Sequence, residues 1–140
     1  LSGALHQATC VAIGARGVLI EGAPGSGKSS LALALIERGA VLVGDDGVLI
    51  ARDGSGLRAS PAPATQGLLE VRNLGLLEFP TLADVPVALV VILDPAAPRF
   101  RETPDWVERA GCRLPAISLW PGSPILALRA ELALRTYGLA

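Results

Sequence analysis

Gly22-Ala23-Pro24-Gly25-Ser26-Gly27-Lys28-Ser29 is a complete G-x-x-x-x-G-K-S. Residues of these types at this spacing can cradle phosphates. The glycines let the backbone wrap closely enough for its N–H groups to face phosphate oxygens, and a helix starting at the end of the loop adds partial positive charge. Lys28 would bridge the β- and γ-phosphates of a nucleotide, and the Ser29 hydroxyl would ligate Mg2+. The plain alternative, a glycine-rich turn between strand and helix, gives Lys28 and Ser29 no purpose. Carboxylates near the γ-phosphate then decide the reaction. Two apolar strand ends supply them: Asp45-Asp46 after Val41-Leu42-Val43, and Asp94 after the apolar run 87–93. Beside a phosphate site the first pair would provide a metal-shell ligand and a general base; otherwise it is a solvated turn before Gly47. Asp94 precedes Pro95, and Asp-Pro also starts turns.

Such groups need a strand before the loop and a helix after it. The pattern predicts both. Residues 9–13 are apolar, a Gly-Ala-Arg-Gly turn follows, and residues 17–21 read as a strand. Residues 29–38 carry Leu31, Ala32, Leu35 and Ile36 at helical spacing and stop at Gly39, a residue suited to the position just past a helix. Strands are predicted at 41–43, 48–51 and 57–60, the last two joined through Asp53-Gly54-Ser55-Gly56. Beyond Pro61 and Pro63, residues 64–71 are expected as a helix and 74–79 as a strand. The run 87–93 has the pattern of a strand buried on both faces and belongs at the sheet centre. Residues 94–113 are polar and broken by proline, with Trp106 and Val107 as isolated anchors, and 116–119 are expected as a last strand. A terminal helix is expected up to Tyr137, with Ser123 as its cap, Pro124 at its first position and Gly138 as its stop. The fold class is therefore α/β: a P-loop (Walker A) nucleotide-binding domain with a mixed central sheet flanked by helices, one domain over residues 1–140.

Composition narrows the function. The 140 residues are 51% hydrophobic and 18% charged, which excludes a disordered chain. Aromatics make up only 4%, so the core is built from Val, Leu, Ile and Ala, and base stacking is disfavoured. Twelve Lys and Arg against thirteen Asp and Glu leave a net charge of −1, so neither nucleic acid nor an anionic membrane is expected as a partner. Cys10, Cys112 and the single histidine do not make a zinc set, and the cysteines are expected as reduced thiols. No apolar run is long enough to span a bilayer and no leader pattern opens the chain, so a soluble, cytoplasmic protein is expected. The lack of any methionine leads us to expect a trimmed chain. A GTPase would carry an N-K-x-D segment, which is missing, and a small phosphotransferase is what remains.

Four blocks, in order, resemble the catalytic domain of HPr kinase/phosphorylase, the bifunctional enzyme that phosphorylates a serine of the phosphocarrier protein HPr. They are His6, the loop 22–29, Arg38-Gly39 followed by an apolar strand and Asp45-Asp46, and Leu68-Leu69-Glu70-Val71-Arg72-Asn73-Leu74-Gly75-Leu76 against the family's L-L-E-I-R-G-L-G-I. Residues 5–79 match well and the remainder loosely. The resemblance implies a fold similar to HPr kinase and PEP carboxykinase, ATP and Mg2+ as cofactors, and HPr as protein substrate. It further implies inorganic phosphate or pyrophosphate as small partners, a homo-oligomer (a hexamer), and a short form without the N-terminal domain of longer members. It makes Asp46 the proton acceptor from the substrate serine, Asp45 its neighbour in the metal shell, and Glu70 a magnesium ligand. Arg72 to Leu76 would fall in a segment used in both directions of catalysis. His6 matches the catalytic-site histidine, and Arg109 resembles the arginine of an R-x-G motif that stabilises charge. On residue type alone, Glu70 reads as a surface carboxylate at a helix end, His6 as an ordinary strand-end residue, and Arg109 as part of a solvated helix face.

The chain departs from the family near its C-terminus. The family's P-V-R-P-G-R-N appears as Ser118-Leu119-Trp120-Pro121-Gly122-Ser123-Pro124, with both arginines gone. Two cations that could hold an attacking phosphate are thereby lost, so the forward kinase reaction is expected to dominate a weak reverse phosphorylase. A small-metabolite kinase with residues 99–113 as its lid, or an ATP-sensing module without turnover, are the alternatives. The apolar terminal helix reads either as an oligomer surface or as simple packing on the sheet.

Overall fold

The computed structural model describes residues 3–140. Strand β2 (Thr9–Ile13) runs antiparallel to β3 (Arg16–Gly22), which is parallel to β9 (Val85–Leu93). Side chains alternate across a strand with period two, and β3 shows what this achieves. Val18 and Ile20 enter one core with Leu31, Ala32 and Leu35, whereas Leu19 enters a second core with Val43, Val48, Leu57 and Leu114. Both faces of the sheet are therefore covered, which is why the run 87–93 is apolar throughout.

The remaining strands are β1 (Ala4–His6), β4 (Val41–Gly44), β5 (Val48–Asp53), β6 (Gly56–Pro61), β7 (Leu68–Val71), β8 (Gly75–Glu78), β10 (Asp105–Arg109) and β11 (Cys112–Leu119). The large mixed sheet runs β1-β5-β6-β9-β3-β2-β4, with β11 parallel to the second half of β9 and β10 antiparallel to β11. β7 and β8 form a separate hairpin. The two helices, α1 (Lys28–Glu37) and α2 (Leu126–Tyr137), both pack into the first core. The expectation of a mixed sheet with helices holds, but they do not flank it. The opposite face is closed by β5, β6 and β11 as the sheet curls over the second core.

Several boundaries follow from local chemistry. α1 ends where the N–H of Gly39, at φ 108, donates to the carbonyl of Ile36. The Arg38 guanidinium, on the residue before it, pairs with Glu131 of α2. Residues 64–71 are not a helix: a short 3-10 turn at Pro63–Thr65 leads into β7, whose Leu69 and Val71 alternate inward. Alternation over so few residues is easily mistaken for a helical stripe. The polar stretch 99–113 contains β10, turning through Ala110 and Gly111 into β11. Trp106 lies under the Arg113 guanidinium, 4.4 Å from its ring centre. α2 starts at Leu126 rather than at Pro124, and Ser123 Oγ accepts from the Ile125 N–H in a turn ahead of it. Its Ala130, Ala133 and Leu134 are buried, the packing role. No helix among the described residues is long and apolar enough to cross a membrane.

Candidate active site

β3 ends at Gly22 and α1 starts at Lys28, so the glycine-rich loop joins a buried strand to a helix N-terminus. Gly25 and Gly27 take φ of 78 and 104, left-handed values that side chains resist. Nothing lies within 4 Å of where a Cβ at either would sit, so the space above the loop is open. A Cβ at Gly22 would meet Ser26 Oγ at 2.5 Å and the Leu93 carbonyl at 3.1 Å, so only glycine fits there. α1 has no side-chain cap and no acidic residue in its first turn, which leaves its N–H groups free for an anion. The Lys28 ammonium folds back onto the loop, donating to the carbonyls of Gly22 (3.1 Å) and Ala23 (3.2 Å).

Asp45 is the hub of the site. Only 7% exposed, it accepts from Ser29 Oγ (2.7 Å) and Thr9 Oγ1 (2.9 Å) at Oδ1, and from the Glu70 N–H (3.0 Å) at Oδ2. One carboxylate thus ties α1, β2 and β7 to the end of β4. Asp46 follows in a left-handed conformation, φ 56, which breaks the strand direction and leaves its side chain exposed. Asp94 does not join this group: its Oδ1 accepts from the Ala96 N–H in a turn.

These groups line one cavity of about 780 Å³, with Pro24, Gly25, Gly27, Lys28 and Ser29 on one wall, Thr9 and Asp46 beside them, and Glu70 to Gly75 opposite. That size suits a small-molecule ligand. A phosphate chain fits this glycine-rich wall at the start of α1. No cluster of three or more His, Cys, Asp or Glu side chains exists among the described residues to cage a metal. Ser29, Asp45 and Glu70 fit instead an ion that arrives with phosphates, since Mg2+ uses one or two carboxylates plus phosphate oxygens.

His6 and Arg109 are not on that wall. They meet each other through Glu21, the last residue before the loop. His6 Nε2 lies 2.8 Å from Glu21 Oε2, and Arg109 grips the same carboxylate in a fork, Nε to Oε2 at 2.9 Å and Nη2 to Oε1 at 2.7 Å. Burial alone would raise the Glu21 carboxyl, but the hydrogen bonds and charge of Arg109 and His6 outweigh it and hold it below the usual range. Arg109 is raised in turn by its bond to Glu21. Sequence reasoning missed both Thr9 and Glu21. Their signals were a hydroxyl within an apolar strand and a carboxylate at a strand end beside the loop. Cys10, by contrast, is inert: burial pushes its thiol up to about 12, with a backbone hydrogen bond to Val18 opposing only in part. Both cysteines are free.

The profile of the HPr Serine kinase C-terminal domain matches residues 2–84, which include the loop, the Asp45 hub and β7–β8. This chain belongs to that family. Its matched region is 48% identical over 67 residues to HPr kinase/phosphorylase of Exiguobacterium sibiricum and 52% identical over 67 residues to that of Bordetella pertussis. Each alignment takes in 47% of this chain and 22% of the relative, so the chain matches under a quarter of these relatives' length. The structure of the Hpr(Ser) kinase/phosphatase from Coxiella burnetii superposes with a TM-score of 0.83 at 26% identity, covering 94% of this chain and 88% of the other. The fold likeness thus extends past residue 84 through β9, β10, β11 and α2.

Proposed function

We propose that this chain has HPr serine kinase activity, transferring the γ-phosphoryl group of ATP to a serine hydroxyl of HPr. One observation carries the reading: Lys28, Ser29, Asp46 and Glu70 line the same cavity, with Ser29 bonded to Asp45. Membership of the family and the names of the relatives support it. The loop 22–29 acts as a P-loop whose N–H groups, with the start of α1, hold the phosphates. Lys28 leaves its two loop carbonyls to meet phosphate oxygens. Ser29, Asp45 and Glu70 would hold Mg2+, which would neutralise charge on the phosphates.

Asp46 is the base. Its left-handed backbone puts it at the cavity rather than in the buried hub, so it can meet a protein substrate from solvent. It takes the proton of the serine hydroxyl as that oxygen bonds to phosphorus and the bond from phosphorus to the leaving ADP oxygen breaks. Arg109 offers charge stabilisation and His6 a further catalytic-site group. Trp120 and Ser123 stand where the family pattern has its two arginines, so phosphorolysis by inorganic phosphate is weak. We further propose a cytoplasmic homo-oligomer, a hexamer by resemblance, acting in the control of carbon metabolism.

Intact-mass measurement of HPr after incubation with this protein, Mg2+ and ATP tests the reading. The expected result is one phosphoryl group on a serine, absent with Asp46→Asn and with Lys28→Ala. Unmodified HPr with ATP still tightly bound would overturn the kinase reading in favour of a nucleotide sensor.

A further inference from the structure

Three elements distant in sequence converge on Glu21. His6 comes from β1, Arg109 from the end of β10, and Glu21 from the end of β3, one residue before the loop. Glu21 follows Leu19 by two, so it lies on the face of β3 that the curled sheet covers. The three side chains are largely enclosed, at 24%, 16% and 24% exposure for His6, Glu21 and Arg109.

The hydrogen-bond count settles which nitrogen of His6 carries its proton. Both Glu21 oxygens accept N–H groups from Arg109, a guanidinium that does not give up its charge. A carboxylate so occupied can only accept. The third contact, at Oε2, must therefore come from an N–H, which assigns the proton of the neutral ring to Nε2 and leaves Nδ1 bare. Nδ1 makes no hydrogen bond among the described residues.

The clamp also sits between the two halves of the site. Gly22, next after Glu21, gives its carbonyl to Lys28, while His6 pairs across to Val48, two residues past Asp46. We propose that Glu21 is a positioning residue for the phosphoryl transfer proposed above: it fixes His6 as the Nε2–H tautomer and locks the Arg109 fork at the root of the phosphate loop. Both groups are thereby held in one orientation beside the strands that carry the loop and the acidic pair. The inference rests on the kinase reading for its catalytic part and on geometry alone for its tautomer part.

The chain has one histidine, so long-range proton–nitrogen NMR on the labelled protein reports a single imidazole. With the pH raised until the imidazole signals stop changing, the wild type should show the proton on Nε2 and a bare Nδ1. In Glu21→Gln, which keeps the shape but offers one acceptor oxygen, the tautomers should mix and the protected Arg109 Nε–H signal should vanish. In HPr phosphorylation the same variant should lose on the order of 100-fold in kcat with KM for ATP held within about twofold, the signature of misplaced groups rather than lost binding. Arg109→Lys, which keeps the charge and loses the fork, should show the same split and serves as the test if Glu21→Gln does not fold. A proton on Nδ1 in the wild type overturns the proposal. So does a tautomer change with kcat unmoved, or a loss that appears as raised KM. If the wild type leaves HPr unmodified, the kinase reading fails while the imidazole spectrum still decides the clamp.

Discussion

Thr9→Val exposes the energetics of the Asp45 hub. Thr9 is fully buried, and its hydroxyl donates to Asp45 Oδ1 at 2.9 Å. A hydrogen bond to a charged group contributes about 1.5–3 kcal/mol. The second contact of this hydroxyl, accepting the Asp46 N–H at 3.5 Å, is at the limit of a hydrogen bond and adds little. Valine has nearly the same shape and returns about 0.8 kcal/mol by burying a methyl group where the hydroxyl was. Asp45 is not orphaned, because Ser29 Oγ and the Glu70 N–H remain on it. The net loss is therefore about 1–2 kcal/mol, and melting should fall by about 3–7 °C for a domain of this size. Urea and thermal unfolding of Thr9→Val, Asp45→Asn and the double variant measure it. The cycle should return a coupling of about 1–2 kcal/mol, above the ~0.5 kcal/mol scatter of independent sites. A Thr9→Val protein that melts at or above the wild type, or a coupling inside that scatter, would refute the view that this bond holds the hub together.

Three further outcomes are expected. Lys28→Ala should weaken nucleotide binding on the order of 100-fold, the equivalent of one charge-assisted contact of about 3 kcal/mol, as read by calorimetric titration with Mg2+ and ATP. The depressed carboxyl of Glu21 contributes stability that is fully present above the usual carboxylate value and is lost as the pH falls through its lower folded value. The gap in unfolding free energy between wild type and Glu21→Gln should thus be widest near neutrality and shrink below about pH 4.3; urea midpoints across that range would contradict this if the gap held constant. Asn73 sits at φ 73 in the exposed turn between β7 and β8, where the family pattern has glycine. Asn73→Gly should be neutral within about 0.5 kcal/mol, while Asn73→Val should cost about 1–2 kcal/mol in thermal unfolding.

Much of the framework was legible because its signals are local. Residues 9–13, the strand ending at the loop, the helix ending at Gly39 and the buried run 87–93 each carry their pattern within a few residues, and each is present. The failures have a common physical origin. Residues 64–71 looked helical because four residues of alternation are too few to tell period two from period 3.6. β1 is a short strand whose partner β5 lies more than 40 residues along the chain, and β10, though joined to β11 by a two-residue turn, is mostly exposed and carries no run of inward apolar residues to announce it.

The same division holds for the site. Sequence by itself singled out the glycine-rich loop and the acidic pair, because their chemistry depends on residue type at fixed spacing, and Glu70 only through resemblance. It also pointed to His6 and Arg109 through resemblance, without saying what they touch. Tertiary structure alone decided that Asp45 is the buried hub and Asp46 the exposed acid, since which of the two is buried depends on the partners Asp45 meets on α1, β2 and β7 and on the left-handed backbone at Asp46. It alone decided that Thr9 holds Asp45 and that Glu21 joins His6 to Arg109. Contacts across 36 and 88 residues are created by the curling of the sheet, and no local pattern encodes them.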